Sequence, residues 1–232
     1  GGIQEEIYQG AGRIAGHLGL DNLIMYYDAN NVQLSTTVEE VDSEDVAAKY
    51  KAWGWHVIEI DGCCPEAIRK ALREAKATVG QPTLIIGKTI MGRGAVGPNG
   101  ENYENRVNTH GQPLSAAGAS IEATIKNLGG DPEAPFQIFP DVQELYAARL
   151  QELRELDKAR KQEEKTWREE NPDRASKLDR WFAGEAPAVD WKSIEQKPNQ
   201  ATRAASATIL STLSEQVENM IVASADLSNS DK

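Results

Sequence analysis

The chain has 232 residues, a net charge of −11, 40% hydrophobic and 26% charged residues. That composition fits a soluble globular chain of one large domain or one and a half ordinary ones. The acidic balance argues against nucleic acid as the main partner, because phosphate backbones are held by basic surfaces. The longest apolar runs are strand-sized, so neither a membrane span nor a secretory leader is expected. The adjacent pair Cys63 and Cys64 fits reduced cytoplasmic thiols better than a strained vicinal disulfide. It fits a zinc site worse still, since that takes about four ligands.

Taken in order, Ile3, Ile7, Ala11, Ile14 and Leu18 fall at helical spacing and predict a helix over 3–18. Gly12 and Gly16, four apart on it, would let another backbone come close. Leu23 to Tyr27 is an unalternating apolar run, as in a strand covered on both faces, and it ends in Asp28-Ala29-Asn30-Asn31. A helix over about 44–52, a strand from His56 to Ile60, a helix opened by Pro65 and a strand from Thr83 to Ile86 follow. This alternation predicts an α/β fold: a parallel sheet with helices on both faces.

Residues 91–113 read as a long loop rich in Gly, Asn and Pro, followed by a helix near 115–127. From Asp141 to about Arg180 charges are dense and no strand signal appears, which predicts one or two exposed helices. A proline-bearing linker follows over 184–200, then a helix from Ala201 to Leu213 and a strand over Met220 to Val222. The organisation expected is a first domain over 1–140, a helical and extended linker over 141–200, and the start of a second α/β domain over 201–232.

Two motifs carry chemistry or mimic it. Gly92-Arg93-Gly94-Ala95-Val96-Gly97 matches G-x-G-x-x-G, but Pro98-Asn99-Gly100 follows where a dinucleotide fingerprint needs a helix. Tyr27-Asp28-Ala29-Asn30-Asn31-Val32 sits at the carboxyl end of a buried strand, the edge where open α/β sheets bind ligands. An Asn oxygen and a backbone carbonyl there are hard ligands suited to Mg²⁺ or Ca²⁺; an ordinary Asx turn is the other reading.

The stretches Ala15-Gly16-His17-Leu18-Gly19-Leu20-Asp21-Asn22-Leu23-Ile24, Tyr27-Asp28-Ala29-Asn30, Gly54-Trp55-His56-Val57-Ile58, Lys88-Thr89-Ile90-Met91-Gly92, Thr109-His110-Gly111-Gln112-Pro113-Leu114, Thr202-Arg203-Ala204-Ala205-Ser206 and Ser224-Ala225-Asp226-Leu227 resemble transketolase segments, in transketolase order. The resemblance covers nearly the whole chain. It implies a thiamine-diphosphate-binding fold, with 1–140 the carboxyl-terminal part of a diphosphate-binding domain and 201–232 the start of a pyrimidine-binding domain.

By the same resemblance, Asn30 gives its side-chain oxygen and Val32 its carbonyl to a Mg²⁺ or Ca²⁺ ion. Gly1 approaches the diphosphate, as the last glycine of a Gly-Asp-Gly motif whose Asp would fall just before this chain begins. Leu34 packs on the cofactor, and Asp226 lies beside its thiamine ring. Glu5 belongs to the acidic link between paired active sites of a homodimer. His110 contacts both diphosphate and sugar, and Arg203 and Ser230 grip the sugar phosphate. His17 and His56 match no functional position and read as packing or surface residues.

The implied activity is transfer of a two-carbon ketol unit from a ketose phosphate to an aldose phosphate, of the xylulose 5-phosphate and ribose 5-phosphate class, in the pentose phosphate pathway. Relatives such as dihydroxyacetone synthase or 1-deoxyxylulose-5-phosphate synthase, or a catalytically dead homologue that binds a partner, are the alternatives. The 232 residues alone are expected to be inactive, lacking the metal carboxylate and the glutamate that activates the cofactor. The loop before His110 also carries an insertion, Asn102-Tyr103-Glu104-Asn105, relative to the family pattern.

Overall fold

A computed structural model describes residues 2–224 and 227. Gly1, Asp226 and Ser230 lie outside the described residues. The chain divides into two compact units, Gly1–Phe139 and Pro140–Lys232.

The first unit opens with a 3₁₀ turn, Gly2–Gln4, and then helix α1, Glu6–His17. The single helix expected over 3–18 is therefore two pieces. Glu5 adopts an extended backbone (φ −73°, ψ 131°) at the boundary and so separates the two pieces. Strand β1 is Ile24–Ala29, and helix α2, Val46–Ala52, starts where Asp45 accepts the Ala48 N–H at 2.9 Å. Strand β2, His56–Asp61, helix α3, Pro65–Ala77, and strand β3, Thr83–Lys88, complete the alternation. Cys63 and Cys64, between β2 and α3, are free thiols.

All three strands are parallel, in the order β1-β3-β2. Thr83 through Gly87 of the central strand are all buried, as an unbroken apolar run requires when both faces are covered. Alternate residues face opposite sides. Leu84 and Ile86 join Ala15, Tyr50 and Trp55 under α1 and α2, whereas Ile85 joins Ala71 and Ala75 of α3, with Ile24, Ile58 and Ile60.

The register brings Ala29, Lys88 and Asp61 level, so the three strands end at one carboxyl edge. On the α1 face Gly16 admits another backbone as expected, whereas Gly12 meets a ring instead. A Cβ at Gly16 would overlap the Trp53 carbonyl oxygen, one at Gly12 would lie 3.2 Å from the Trp53 ring, and the Gly12 carbonyl accepts the Trp55 indole N–H at 2.8 Å.

The loop after β3 is tied down along its length. Its G-x-G-x-x-G stretch opens no helix. Val96 bridges Asn102, the Ala95 carbonyl accepts the Tyr103 N–H at 3.0 Å, and Glu104 accepts the Gly94 N–H at 2.7 Å. The Asn102–Asn105 segment thus folds back onto the glycine motif, with Asn105 in the left-handed region (φ 54°). Helix α4, Ile121–Asn127, is shorter than the expected 115–127. Pro113 to Ala117 form separate turns, Gly118 (φ 92°) breaks their direction, and the Ser120 hydroxyl then accepts the Ala123 N–H to start the helix anew.

The second unit is helical: α5, Pro140–Glu170, α6, Pro172–Phe182, and α7, Thr202–Gln216. None of α5 is buried, and it carries spaced ion pairs such as Asp157–Lys161 at 2.8 Å. Arg168 joins Glu164 of α5 to Asp179 of α6, both at 2.8 Å. The strand expected over Met220–Val222 does not form. Among the described residues this unit offers no strand to complete a ladder, and Ile221 stands 93% exposed.

Candidate functional site

The carboxyl edge of β1 turns abruptly. Asn31 takes the left-handed conformation (φ 60°), which Asn tolerates better than most residues. The turn is closed by side chain and backbone together. Asn30 Oδ1 accepts the Val32 N–H at 3.1 Å, the Asn31 carbonyl accepts the Val38 N–H at 3.1 Å, and Gln33 N–H donates to the Thr36 carbonyl at 2.9 Å. The segment is an Asx turn, as one of the two sequence readings has it, and its amide oxygen keeps a second lone pair. Val32 itself is buried, 6% exposed, and bridges Thr37.

Asp28 and Thr89, at the ends of β1 and β3, are hydrogen-bonded to each other, and Asn30 Nδ2 reaches Asp28 Oδ2 at 3.5 Å. Tyr26 fills the gap left by Gly87. Burial first, and then Asp28, Cys63 and Asp61, push its hydroxyl pKa up.

An open cleft of about 500 Å³ is lined by Gln33, Leu34, Ser35 and His110. Thr109, buried, anchors this loop through its hydroxyl to the Arg106 carbonyl at 2.7 Å. Gly111 (φ 71°) lets the backbone pass Leu34, where a Cβ would come within 2.9 Å of Leu34 Cδ2. Leu34 is 72% exposed, an apolar wall facing solvent. His110 Nδ1 is buried and has no hydrogen-bond partner among the described residues. A buried polar atom of this kind is costly unless a ligand completes it.

The structure therefore gathers Asn30, Val32, Leu34 and His110, separated by up to 80 positions in sequence, at one edge. Glu5 is exposed on the single chain and makes no side-chain cap bond. Arg203 is exposed in the first turn of α7, in the second unit. His17 ends α1 in solvent and His56 pairs with Glu74 at 3.1 Å. Gln4, Gln33 and Asp42, which motif reading passes over, are bonded together beside Asn30. Their partners lie 29 and 38 positions apart, a distance no local pattern reports.

Among the described residues no three His, Cys, Asp or Glu side chains converge as a metal set, and no helix is long and apolar enough to cross a membrane. A parallel sheet, an oxygen-donor turn at its carboxyl edge and a buried histidine nitrogen define a cofactor-binding α/β domain. Residues 1–187 match the family model for the transketolase thiamine diphosphate binding domain, and the chain belongs to the transketolase family.

The chain is 33% identical to transketolase 2 of Xanthobacter flavus over 241 residues, covering 99% of this chain and 34% of that one. It is 34% identical to dihydroxyacetone synthase of Pichia angusta over 221 residues, covering 93% and 31%. The crystal structure of Pichia stipitis transketolase in complex with sedoheptulose 7-phosphate superposes with a TM-score of 0.81 at 29% identity, over 99% of this chain and 34% of that one. The chain thus spans about a third of the length of the relatives it matches.

Proposed function

We propose that this chain supplies the diphosphate and metal side of a transketolase active site, in an enzyme that moves a two-carbon ketol unit from a ketose phosphate to an aldose phosphate. The observation that carries the reading is the edge described above, where the Asn30–Val32 turn and the buried, unpartnered His110 nitrogen lie on one sheet edge of a thiamine-diphosphate-binding domain.

The donor set fits a hard divalent cation in part. Asn30 Oδ1 and the Val32 carbonyl are two oxygen ligands, suited to Mg²⁺ or Ca²⁺, and the remaining positions fall to diphosphate oxygens, water and a carboxylate from outside the described residues. Leu34 would cover an apolar part of the cofactor. His110 would turn Nδ1 to a diphosphate or sugar oxygen. Gly1 would lie against the diphosphate and Asp226 beside the thiamine ring. Glu5, on the exposed start of α1, would link paired sites in a homodimer. Arg203, with Ser230, would hold the sugar phosphate by charge-assisted bonds. Thiamine diphosphate, when bound, supplies the carbanion and the electron sink for carbon–carbon cleavage. The residues of this chain contribute anchoring, orientation and shielding from water.

The test is a ketol-transfer assay on the full polypeptide encoded with this chain, in thiamine diphosphate and Mg²⁺. Xylulose 5-phosphate and ribose 5-phosphate are expected to give a ketose phosphate two carbons longer than the acceptor. No transfer with any aldose phosphate would overturn the reading. Transfer to an unphosphorylated acceptor alone would favour a dihydroxyacetone-synthase-type activity, the second reading that the Pichia angusta relative supports.

A further inference from the structure

Gln4 and Gln33 carry none of the roles above, yet they connect the two backbone segments on which the site depends. Gln33 Nε2 donates to Gln4 Oε1 at 2.8 Å, and Gln4 Nε2 donates to Asp42 Oδ2 at 3.2 Å; both bonds are partly buried. Gln4 closes the 3₁₀ turn Gly2–Gln4 that follows Gly1. Gln33 follows Val32 directly and lines the cleft with Leu34 and His110.

The chain of bonds has only one direction. Asp42 is an acceptor on both oxygens, because Oδ1 also takes the Glu44 N–H at 2.9 Å. These two bonds, the backbone one foremost, hold its carboxyl below the usual range. An ionised carboxylate forces Gln4 to present its NH₂ to Asp42 and its oxygen to Gln33. Gln33 must then spend an N–H on Gln4, so its amide orientation is fixed as well.

We propose that Gln4 and Gln33 are positioning residues. Polarised by Asp42, their amide latch holds the turn after Gly1 in register with the metal loop Asn30–Val32, and that register sets the divalent-metal requirement of cofactor binding. The inference rests on the site reading above, and the test separates the two.

In the full polypeptide, the Mg²⁺ concentration that half-saturates thiamine diphosphate binding is measured by equilibrium dialysis for Asn30→Ala, Gln4→Met, Gln33→Met and the double Gln variant. Each single Gln variant removes one or two bonds, so half-saturation is expected to rise about two- to tenfold. The double variant is expected to cost less than the product of the two singles, because the latch is lost only once. The thermal midpoint of the metal-free protein is recorded alongside and is expected to move little.

Asn30→Ala is the control. If it leaves the metal dependence unchanged, the site reading itself fails. If it weakens the dependence while the Gln variants leave it unchanged, or act multiplicatively, the latch is overturned. Asp42→Asn supplies a substitution at a partly exposed position. Asn presents one oxygen where Asp42 presents two, so its NH₂ faces either the Gln4 NH₂ or the Glu44 N–H; a smaller rise in half-saturation is expected, and no rise would also count against the latch.

Discussion

Asn31 shows how a single residue shapes the site. Its left-handed backbone (φ 60°) turns the chain so that Asn30 can close on the Val32 N–H. Asn31→Val is expected to destabilise the fold by about 1–2 kcal/mol, and Asn31→Gly to be close to neutral. Urea denaturation midpoints check the pair, and equal effects of the two substitutions would refute the backbone argument. The turn at Asn30–Val32 was legible in the sequence because strand, Asn and turn stand adjacent. The Gln4–Gln33–Asp42 chain was not, since amides have no periodicity and their bonding partners are set by tertiary folding. That His110 Nδ1 has no partner among the described residues was likewise invisible, because burial of one atom depends on how the whole loop closes.

Elements were legible where period and punctuation agreed. β2 and β3 begin at His56 and Thr83 as read, and Pro65 opens α3. Boundaries failed where a cap competed with a helical pattern, at Glu5 and at Ser120. The run Met220–Val222 failed for another reason: strand character in sequence is only a readiness to pair, and the second unit offers it no partner among the described residues.

The contact of α1 with the segment after α2 gives a sharp contrast between two similar glycines. Gly16→Ala sets a methyl group into the Trp53 carbonyl, a backbone atom that cannot turn aside. Gly12→Ala meets the Trp53 ring at 3.2 Å, where a shift of a few tenths of an ångström suffices. A loss of about 3 kcal/mol or more is expected for Gly16→Ala and less than half of that for Gly12→Ala. Similar losses from both in thermal unfolding would show that α1 is not held as described.

At the scale of the molecule, the core under α1 and α2 centres on Tyr50, 1% exposed, with Trp53 and Trp55 edge-on to its ring. Burial first, then Tyr8 and Glu44, push its hydroxyl pKa up to about 12. An unfolded tyrosine ionises near pH 10, at about its ordinary value. The folded chain holds the proton more tightly, so this contribution to stability is complete below about pH 10 and is lost as pH rises toward about 12. The denaturation midpoint should fall across that window. Tyr50→Phe should flatten the fall while leaving the smaller slope due to Tyr26 and Tyr27, whose values burial also raises. An unchanged slope would mean that Tyr50 is not buried as a neutral phenol.

At the sheet edge, Asn30 is proposed to help hold a divalent cation together with thiamine diphosphate. Calorimetric titration of thiamine diphosphate into the full polypeptide, with and without Mg²⁺, tests it most directly when wild type and Asn30→Ala are compared. The account predicts Mg²⁺-dependent binding by the wild type and a loss of about tenfold or more in affinity for the variant, with the fold unchanged by circular dichroism. Equal, metal-independent binding by both proteins would contradict it.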